Sequence, residues 1–265
     1  MLLVIDCGNT NTVFAIYQYE ENNLKLINTW RIYSDTKRTS DDYFIWIKQV
    51  FFTANLNIND LKGIAIASVV PEVLLNIKLM IRKYFKLNTL IFGEDKLDLD
   101  FEINIDNPQD AGADRLLNAY AVKVLKYNPA IVIDFGTATT FDIVGEKGSY
   151  EGGIIAPGIN LSVDALYRST SRLPKITVKS LEDENKTLVG KNTISAMESG
   201  IYWGYVCMID GLIYKLKKIY KDSKIIATGG LTAVFKKDLS SIDIIEKNLT
   251  IFGLAQIYLS QFKLK

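Results

Sequence analysis

The fold of this chain is decided by a stretch that occurs twice, as Val4-Ile5-Asp6-Cys7-Gly8-Asn9-Thr10-Asn11-Thr12 and as Val132-Ile133-Asp134-Phe135-Gly136-Thr137-Ala138-Thr139-Thr140. The copies lie 128 positions apart and share the frame V-I-D-x-G, which small polar residues and a further apolar run follow. The apolar runs are β-branched and too short for helices, so each copy predicts a strand, a tight turn and a second strand. Two copies half a chain apart predict two similar half-folds.

The turn in each copy has the composition of a phosphate-binding loop. Gly8 and Gly136 permit either a positive φ or a close backbone approach, and the Asn and Thr residues donate hydrogen bonds. Backbone N–H groups and hydroxyls can then point at phosphate oxygens, while the Asp at the strand end reaches a cation. A plain hairpin is the alternative for one copy taken alone, and the repetition favours a phosphate clamp.

The segments around the first copy predict the order βββαβαβ, which is that of a ribonuclease-H-like half-domain. Strands are expected at 12–17, 24–30, 63–70 and 90–92, with helices that open at Ser40 and follow Pro71. Another helix is expected from Gly112 to about Tyr127. Asp114 then lies in a first helical turn, where stabilisation of the helix dipole is one explanation of its presence.

The second copy repeats the three-stranded start. Strands are expected at 130–134, 139–144 and 150–155, followed by a short helix, a long helix over 193–220, a strand over 224–227 and a terminal helix over 249–262. The predicted fold class is therefore α/β, with two ribonuclease-H-like half-domains, a duplicated βββαβαβ order and a nucleotide cleft between the halves. The predicted domains are 1–118 and 119–265.

Composition narrows the class of protein. The net charge is +1, with 31 basic and 30 acidic residues, so no nucleic-acid-binding surface is expected. Cys7 and Cys207 are too few and too distant for a disulfide framework, which fits a reducing cytoplasm. The first residues lack a basic region and reach Asp6 too early for a signal peptide. No apolar stretch is long enough to span a membrane.

The chain contains no histidine. Ser-His-Asp and Cys-His catalysis and His-ligated zinc are therefore excluded. A general base must be a carboxylate, Lys, Tyr or Cys, and a metal site will be rich in oxygen ligands, which suits magnesium or an alkali cation. Neither G-x-x-x-x-G-K-[ST] nor G-x-G-x-x-G occurs, so a P-loop or a dinucleotide-binding Rossmann fold has no motif in its favour.

Taken together, these motifs resemble a known set. The loops that contain Asp6 and Gly8 and Asp134 and Gly136 are called the first and second Asp-Gly loops below. These loops and a late strand that ends in Thr228-Gly229-Gly230 are similar to the nucleotide sites of the acetate and sugar kinase, heat-shock-70 and actin superfamily. Within it, the chain resembles type III pantothenate kinase over nearly its whole length. The further motifs that carry this resemblance occur in the family's order: Ser68-Val69-Val70-Pro71, Gly112-Ala113-Asp114-Arg115, Gly152-Gly153, Pro157-Gly158 and Gly190-Lys191-Asn192-Thr193.

The resemblance implies roles for particular residues. The loop of Asp6, Cys7, Gly8, Asn9, Thr10, Asn11, Thr12 and Val13 would bind ATP, as would Thr137, Gly229 and Gly230. Asp6 would lie near Mg²⁺, and Asp134 would bind a monovalent cation, K⁺ or NH₄⁺. Asp114 would accept the proton of the substrate. Pantothenate would contact Gly112, Ala113, Asp114, Arg115 and Thr193, and also Ile105, where the family often has tyrosine.

The resemblance also implies a homodimer with ATP and pantothenate as its substrates, acting in coenzyme A biosynthesis. Two alternatives belong beside it. Another small-molecule kinase of the superfamily would keep both Asp loops, and a non-catalytic regulator similar to the Bvg accessory factor group would share the motifs. The presence of Asp6, Asp114 and Asp134 favours an enzyme, since a module without turnover does not need all three carboxylates.

Overall fold

The computed structural model describes residues 1–20, 23–97, 100–170, 172–177 and 188–262. The chain divides into two compact units. Unit 1 comprises Met1–Phe101, Asn107–Val124 and Leu249–Lys265, and unit 2 comprises Glu102–Asp106 and Leu125–Asn248.

Up to residue 124 the described chain forms five strands and three α-helices, besides two 3₁₀ turns at Ile58–Asp60 and Pro108–Asp110. The strands are β1 (Leu2–Cys7), β2 (Asn11–Glu20), β3 (Asn23–Tyr33), β4 (Gly63–Ser68) and β5 (Thr89–Ile91), and the helices are α1 (Ser40–Thr53), α2 (Pro71–Tyr84) and α3 (Ala113–Val124). The sheet has the order β3-β2-β1-β4-β5. β1 and β2 are antiparallel, as are β2 and β3, whereas β4 is parallel to β1 and β5 to β4.

The rest of the described chain forms five strands and four helices. The strands are β6 (Ala130–Phe135), β7 (Ala138–Val144), β8 (Tyr150–Pro157), β9 (Lys224–Thr228) and β10 (Ile244–Ile245), and the helices are α4 (Ile159–Arg168), α5 (Thr193–Ile219), α6 (Thr232–Phe235) and α7 (Leu249–Gln261). The second sheet has the order β10-β9-β6-β7-β8. Counted from the outer meander strand, this order equals that of the first sheet, which confirms the duplicated architecture.

Local sequence explains where the elements begin. Helix α1 is capped by Thr39, whose hydroxyl accepts a hydrogen bond from the Asp42 N–H, while the Asp42 carboxylate accepts one from the Thr39 N–H at 2.9 Å. This capping box places the cap one residue before the predicted start at Ser40. Helix α2 begins at Pro71, a residue whose fixed φ and missing N–H suit a first helical position.

Strand β1 is buried on both of its faces because helices cover both sides of the first sheet. Leu3 and Ile5 pack in the cluster that contains α1 and α2, whereas Leu2 and Val4 pack in the cluster that contains Leu117 of α3 and residues of α7. A Cβ on Gly253 of α7 would lie 2.2 Å from the Leu117 carbonyl oxygen, so the absence of a side chain allows α7 to approach α3 closely.

The units divide the chain differently from the sequence-based boundary at residue 118. That boundary lies inside α3, and α7, which the sequence places in the second half, packs in unit 1. In unit 2, β6 supplies Ile131, Ile133 and Phe135 to a core that α5 completes. The long helix predicted over 193–220 therefore supplies residues to this core, among them Tyr205 and Ile209.

Candidate active site

The first Asp-Gly loop joins β1 to β2 through residues 8–10. Cys7 pairs with Thr12 across the two strands, and the Gly8 N–H donates a hydrogen bond to the Asn11 carbonyl at 3.1 Å. A Cβ on Gly8 would lie 3.1 Å from the same carbonyl oxygen. Of the two reasons that the sequence offers for this glycine, close backbone approach is the one observed, because Gly8 is not among the described glycines with a positive φ.

The second loop, between β6 and β7, is one residue shorter. Phe135 pairs with Thr139, and the Gly136 N–H donates to the Ala138 carbonyl at 3.1 Å. Three residues separate this pair, whereas four separate Cys7 from Thr12. The structural counterpart of Thr12 is therefore Thr139, not the Thr140 that a constant offset of 128 would select.

Ser34, which follows β3, contacts the first loop at three points. Its hydroxyl donates to the Gly8 carbonyl at 2.6 Å and lies 2.9 Å from the Thr12 hydroxyl, and its N–H donates to the Thr10 carbonyl at 3.0 Å. Sequence reasoning missed this residue. Ser34 lies 22 positions from Thr12 and belongs to no recognisable motif, so only the pairing of β2 with β3 reveals it.

The two strand-end carboxylates occupy equivalent positions. Asp6 and Asp134 are each half-buried at the last residue but one of β1 and β6, and Asp6 pairs with Val13 as Asp134 does with Thr140. Strand β9 ends beside Asp134, where a Cβ on Gly229 would lie 2.4 Å from the carboxylate oxygen Oδ1. The structure thus brings the second loop and the Thr-Gly-Gly turn together.

Tyr205 of α5 lies beneath the second loop. Its hydroxyl forms a hydrogen bond with the buried Thr139 hydroxyl. Burial, together with the negative charge of Asp134, raises the pKa of Tyr205 to about 12, although the hydrogen bond with Thr139 acts to lower it. Tyr205 is therefore a neutral partner at physiological pH. It positions the loop and does not serve as a base.

Asp6 and Asp134 offer hard oxygen donors suited to a metal ion. Within the described ranges, no group of three or more His, Cys, Asp or Glu side chains is placed to hold a metal. A single carboxylate at each strand end fits a cation that takes its other ligands from phosphate oxygens, backbone carbonyls and water, which is how proteins usually bind Mg²⁺ with nucleotides.

The Gly112–Arg115 motif opens α3 in unit 1. All four residues are half-buried, and the Asp114 oxygen Oδ1 accepts the Arg115 N–H at 2.9 Å. A Cβ on Gly112 would lie 2.7 Å from that oxygen, so the glycine leaves room for the carboxylate over the helix N-terminus. The helix dipole favours the charged carboxylate there, and this is compatible with a further role for Asp114.

Ile105 and Thr193 lie on different parts of unit 2. Residues 102–106 run beside β8, where the Asn104 N–H donates to the Tyr150 carbonyl at 2.8 Å. Ile105 lies against Gly152, whose φ is +97°. Thr193 is the exposed first residue of α5, and the preceding Asn192 caps that helix in a capping box with Ser195.

A cavity outside the predicted sites lies against α2 and β5. It has a volume of about 520 Å³ and is lined by apolar residues such as Leu75, Leu79 and Phe85 and by the cations Lys78, Arg82 and Lys86. None of its lining residues belongs to the predicted sites. The candidate site is therefore defined by the loops and motifs described above.

Known sequences include relatives of this chain over nearly its whole length. A sequence model of the type III pantothenate kinase family matches residues 2–215. The type III pantothenate kinase of Maricaulis maris is 41% identical over 259 residues, which cover 97% of each chain. That of Zymomonas mobilis is 44% identical over 259 residues, which cover 97% of this chain and 92% of the relative.

Solved structures share the fold at low sequence identity. A proposed Baf-family transcriptional activator from Campylobacter jejuni has a TM-score of 0.57 at 20% identity, with 99% of this chain and all of that chain covered. A proposed sugar kinase from Cytophaga hutchinsonii has a TM-score of 0.51 at 13% identity, with 98% and 99% covered. These likenesses concern the fold alone.

The duplicated sheets with their Asp-Gly loops define an α/β protein whose fold is shared by the proposed sugar kinase from Cytophaga hutchinsonii. More particularly, the chain belongs to the type III pantothenate kinase family, as the motifs predict. It is thus a kinase, and the ATP-dependent chemistry of kinases needs a divalent metal ion. Among the helices in the described ranges, none is long and apolar enough to cross a membrane.

Proposed function

We propose that this chain transfers the γ-phosphoryl group of ATP to the primary hydroxyl of pantothenate, the first step of coenzyme A biosynthesis. The observation that carries the proposal is the match to the family over residues 2–215, which includes both Asp-Gly loops and the Gly112–Arg115 motif. In the reaction, the substrate oxygen forms a bond to the γ-phosphorus, the bond from that phosphorus to the β–γ bridging oxygen breaks, and ADP leaves.

The first loop is proposed to bind the ATP phosphates through residues 6–13. The exposed Asn9, Thr10 and Asn11 and the tight turn at Gly8 support this role, because backbone N–H groups in such turns form anion-binding concavities. Thr137 is exposed in the second loop and is proposed to contact ATP as well.

Gly229 and Gly230 are proposed to bind the adenosine part of ATP. Gly229 has a φ of +93°, a conformation that residues with a side chain rarely adopt. Gly230 is exposed at the same turn. Without side chains, both residues allow the nucleoside to lie directly against the backbone.

Two cations are proposed at the strand-end carboxylates. Mg²⁺ would be held near Asp6, and K⁺ or NH₄⁺ would be held by Asp134. When bound, these cations neutralise charge that develops on phosphate oxygens during transfer. The half-buried position of each carboxylate supports the proposal, since it limits competition from solvent.

Asp114 is proposed as the proton acceptor. A loose transition state for phosphoryl transfer needs alignment and charge neutralisation more than a strong base, so a carboxylate suffices in a chain without histidine. Asp114 accepts a hydrogen bond from the substrate hydroxyl and takes its proton late. Arg115, with its planar guanidinium, is proposed to pair with the pantothenate carboxylate.

The remaining substrate contacts are proposed at Gly112, Ala113, Ile105 and Thr193. A homodimer in the cytoplasm is proposed as the working form. Exposed apolar side chains on α5 support dimerisation, since Ile194, Tyr214 and Ile219 are each at least half exposed in this chain.

The test is a coupled assay of ADP release with Mg²⁺, run with and without pantothenate in potassium and in sodium buffer at equal ionic strength. Turnover that depends on pantothenate and is faster in potassium is expected. Turnover with another hydroxylated acceptor but not with pantothenate would favour a different kinase. No turnover with any acceptor would favour the alternative of a non-catalytic regulator, since this chain shares its fold with the proposed transcriptional activator from Campylobacter jejuni.

A further inference from the structure

Ser34 is tied to the first loop through both its side chain and its backbone. It is 9% exposed, so water competes little for its hydrogen bonds. A serine hydroxyl has one proton, and the 2.6 Å contact assigns that proton to the Gly8 carbonyl. The Thr12 hydroxyl, 2.9 Å away, is then the donor to the Ser34 oxygen. The Thr12 hydroxyl thus donates to Ser34, and the Ser34 hydroxyl donates to the Gly8 carbonyl; these two hydrogen bonds are called the relay below.

The relay fixes the direction of two peptide groups. In a trans peptide, the carbonyl of one residue and the N–H of the next point in opposite directions. Ser34 holds the Gly8 carbonyl with its hydroxyl and the Thr10 carbonyl with its N–H. The N–H groups of Asn9 and Asn11 therefore both point away from Ser34.

We infer that Ser34 is a positioning residue for nucleotide binding: it turns the Asn9 and Asn11 N–H groups of the first loop toward the phosphates of ATP. The inference rests on the proposed role of this loop. It adds a residue that lies outside every motif of the family resemblance and that does not itself touch the nucleotide.

The shorter second loop indicates why the first loop needs hydrogen bonds from Ser34 to hold its backbone. It has three residues between its paired positions instead of four, so its backbone has less freedom. The hydroxyl partner of Thr139 comes from Tyr205 of helix α5, whereas that of Thr12 comes from Ser34 at the end of the adjacent strand β3. Only the Ser34 hydroxyl also holds a loop carbonyl, at Gly8.

The test compares Ser34→Ala with Ser34→Thr, which keeps the hydroxyl. Ser260→Ala is the matched control, because the Ser260 hydroxyl also donates to a backbone carbonyl of unit 1, at 2.8 Å from Ile257, but lies in α7. Ser34→Ala removes the hydrogen bonds of the hydroxyl with Gly8 and Thr12, and only the bond to the Gly8 carbonyl orients the loop directly. We expect Ser34→Ala to raise KM for ATP about three- to tenfold, the effect of losing that bond, with KM for pantothenate unchanged. Ser34→Thr should restore most of the loss, and Ser260→Ala should match the unmodified protein.

A binding experiment gives a readout independent of turnover. In ¹H–¹⁵N spectra titrated with ADP and Mg²⁺, the amides of Asn9 and Asn11 should shift in the unmodified protein and shift less in Ser34→Ala at equal nucleotide concentration. A KM for ATP within twofold of normal in a folded Ser34→Ala variant, with unaltered amide shifts, would overturn the inference.

A separate variant keeps the two proposals apart. Asp6→Asn tests the proposed nucleotide role of the first loop itself. If Asp6→Asn impairs ATP use and Ser34→Ala does not, the inference about Ser34 fails alone. If Asp6→Asn leaves ATP use unchanged and the loop amides ignore nucleotide, the proposed role of the loop fails, and the role of Ser34 fails with it.

Discussion

The carboxylate oxygen Oδ1 of Asp134 lies 2.4 Å from the point where a Cβ on Gly229 would stand. The same point lies 2.6 Å from the Phe135 nitrogen, so the Thr-Gly-Gly turn passes the end of β6 at backbone distance. A real Cβ does not approach other atoms so closely. Asp134, the proposed cation ligand, and Gly229, a proposed adenosine contact, therefore pack directly against each other.

This contact predicts a large effect of Gly229→Ala. Gly93 has the same φ of +93° but has no atom within 4 Å of its Cβ position, so Gly93→Ala is a matched control. The unfavourable φ alone costs roughly 1–2 kcal/mol of folding free energy. In Gly229→Ala, crowding should add about 1–3 kcal/mol and should displace Asp134.

Thermal melting measures the loss of folding free energy, and KM for ATP measures the displacement of Asp134. Gly93→Ala should lower the melting temperature modestly and leave KM for ATP unchanged, whereas Gly229→Ala should lower the melting temperature further and raise KM. Equal melting temperatures and equal KM values for the two variants would show that the contact between Gly229 and Asp134 is unimportant.

Asp114→Asn is expected to reduce kcat by about 10²–10⁴-fold, the range typical of general-base catalysis. The asparagine oxygen can still accept the Arg115 N–H, so the start of α3 should remain intact. Steady-state kinetics and a melting curve check both statements. Asp110→Asn, an exposed carboxylate in the 3₁₀ turn before α3, is the control and should keep its activity. An unchanged kcat in Asp114→Asn would remove this residue from the mechanism.

The sequence predicts the duplicated fold well because its signals are local. The continuous buried apolar runs of β1 and β6 and the glycine turns after them lie within single short stretches. Helix α7 is different: its own sequence predicts a helix, but its partner is α3 at Leu117, and nothing local indicates that packing. The short helix α6 carries too few residues to show a helical period.

The candidate site likewise contains residues that the sequence reveals and residues that only the structure reveals. Asp6, Asp114 and Asp134 stand in motifs and can be proposed from sequence. The one-residue difference between the loops becomes visible only in the strand register, which pairs Thr139 with Phe135. Ser34 is recognised only through hydrogen bonds to residues more than 20 positions away, and a single serine after a strand gives no signal in the sequence.

The dependence of turnover and stability on a monovalent cation should require Asp134. We expect potassium to raise both turnover and melting temperature relative to sodium at equal ionic strength, because a cation that binds only the folded state stabilises it. Asp134→Asn should abolish both differences. Asp222→Asn, which changes an exposed carboxylate of unit 2, should retain them. A potassium effect that survives in Asp134→Asn would place the cation elsewhere.

The two cysteines should differ sharply in reactivity. Cys7 is fully buried, and burial raises the pKa of its thiol to about 12, with the charge of Asp6 as a further cause. Cys207 is exposed on α5. Alkylation requires the thiolate and access, so iodoacetamide at pH 8 should label Cys207 and spare Cys7, as peptide mass spectrometry can show. Labelling of Cys7 at a comparable rate in the folded protein would contradict its burial.

The same shift predicts how stability depends on pH. The pKa of Cys7 is higher in the folded state than its ordinary value of 9.0, so the unfolded chain releases this proton first as pH rises. The contribution of the neutral thiol to stability is therefore complete below about pH 9 and is lost progressively toward pH 12. Urea unfolding between pH 8 and 11 should show a decline that is smaller in Cys7→Ala, because alanine has no proton to lose. Cys207→Ala should keep the full decline, and an identical decline in both variants would exclude Cys7 as its source.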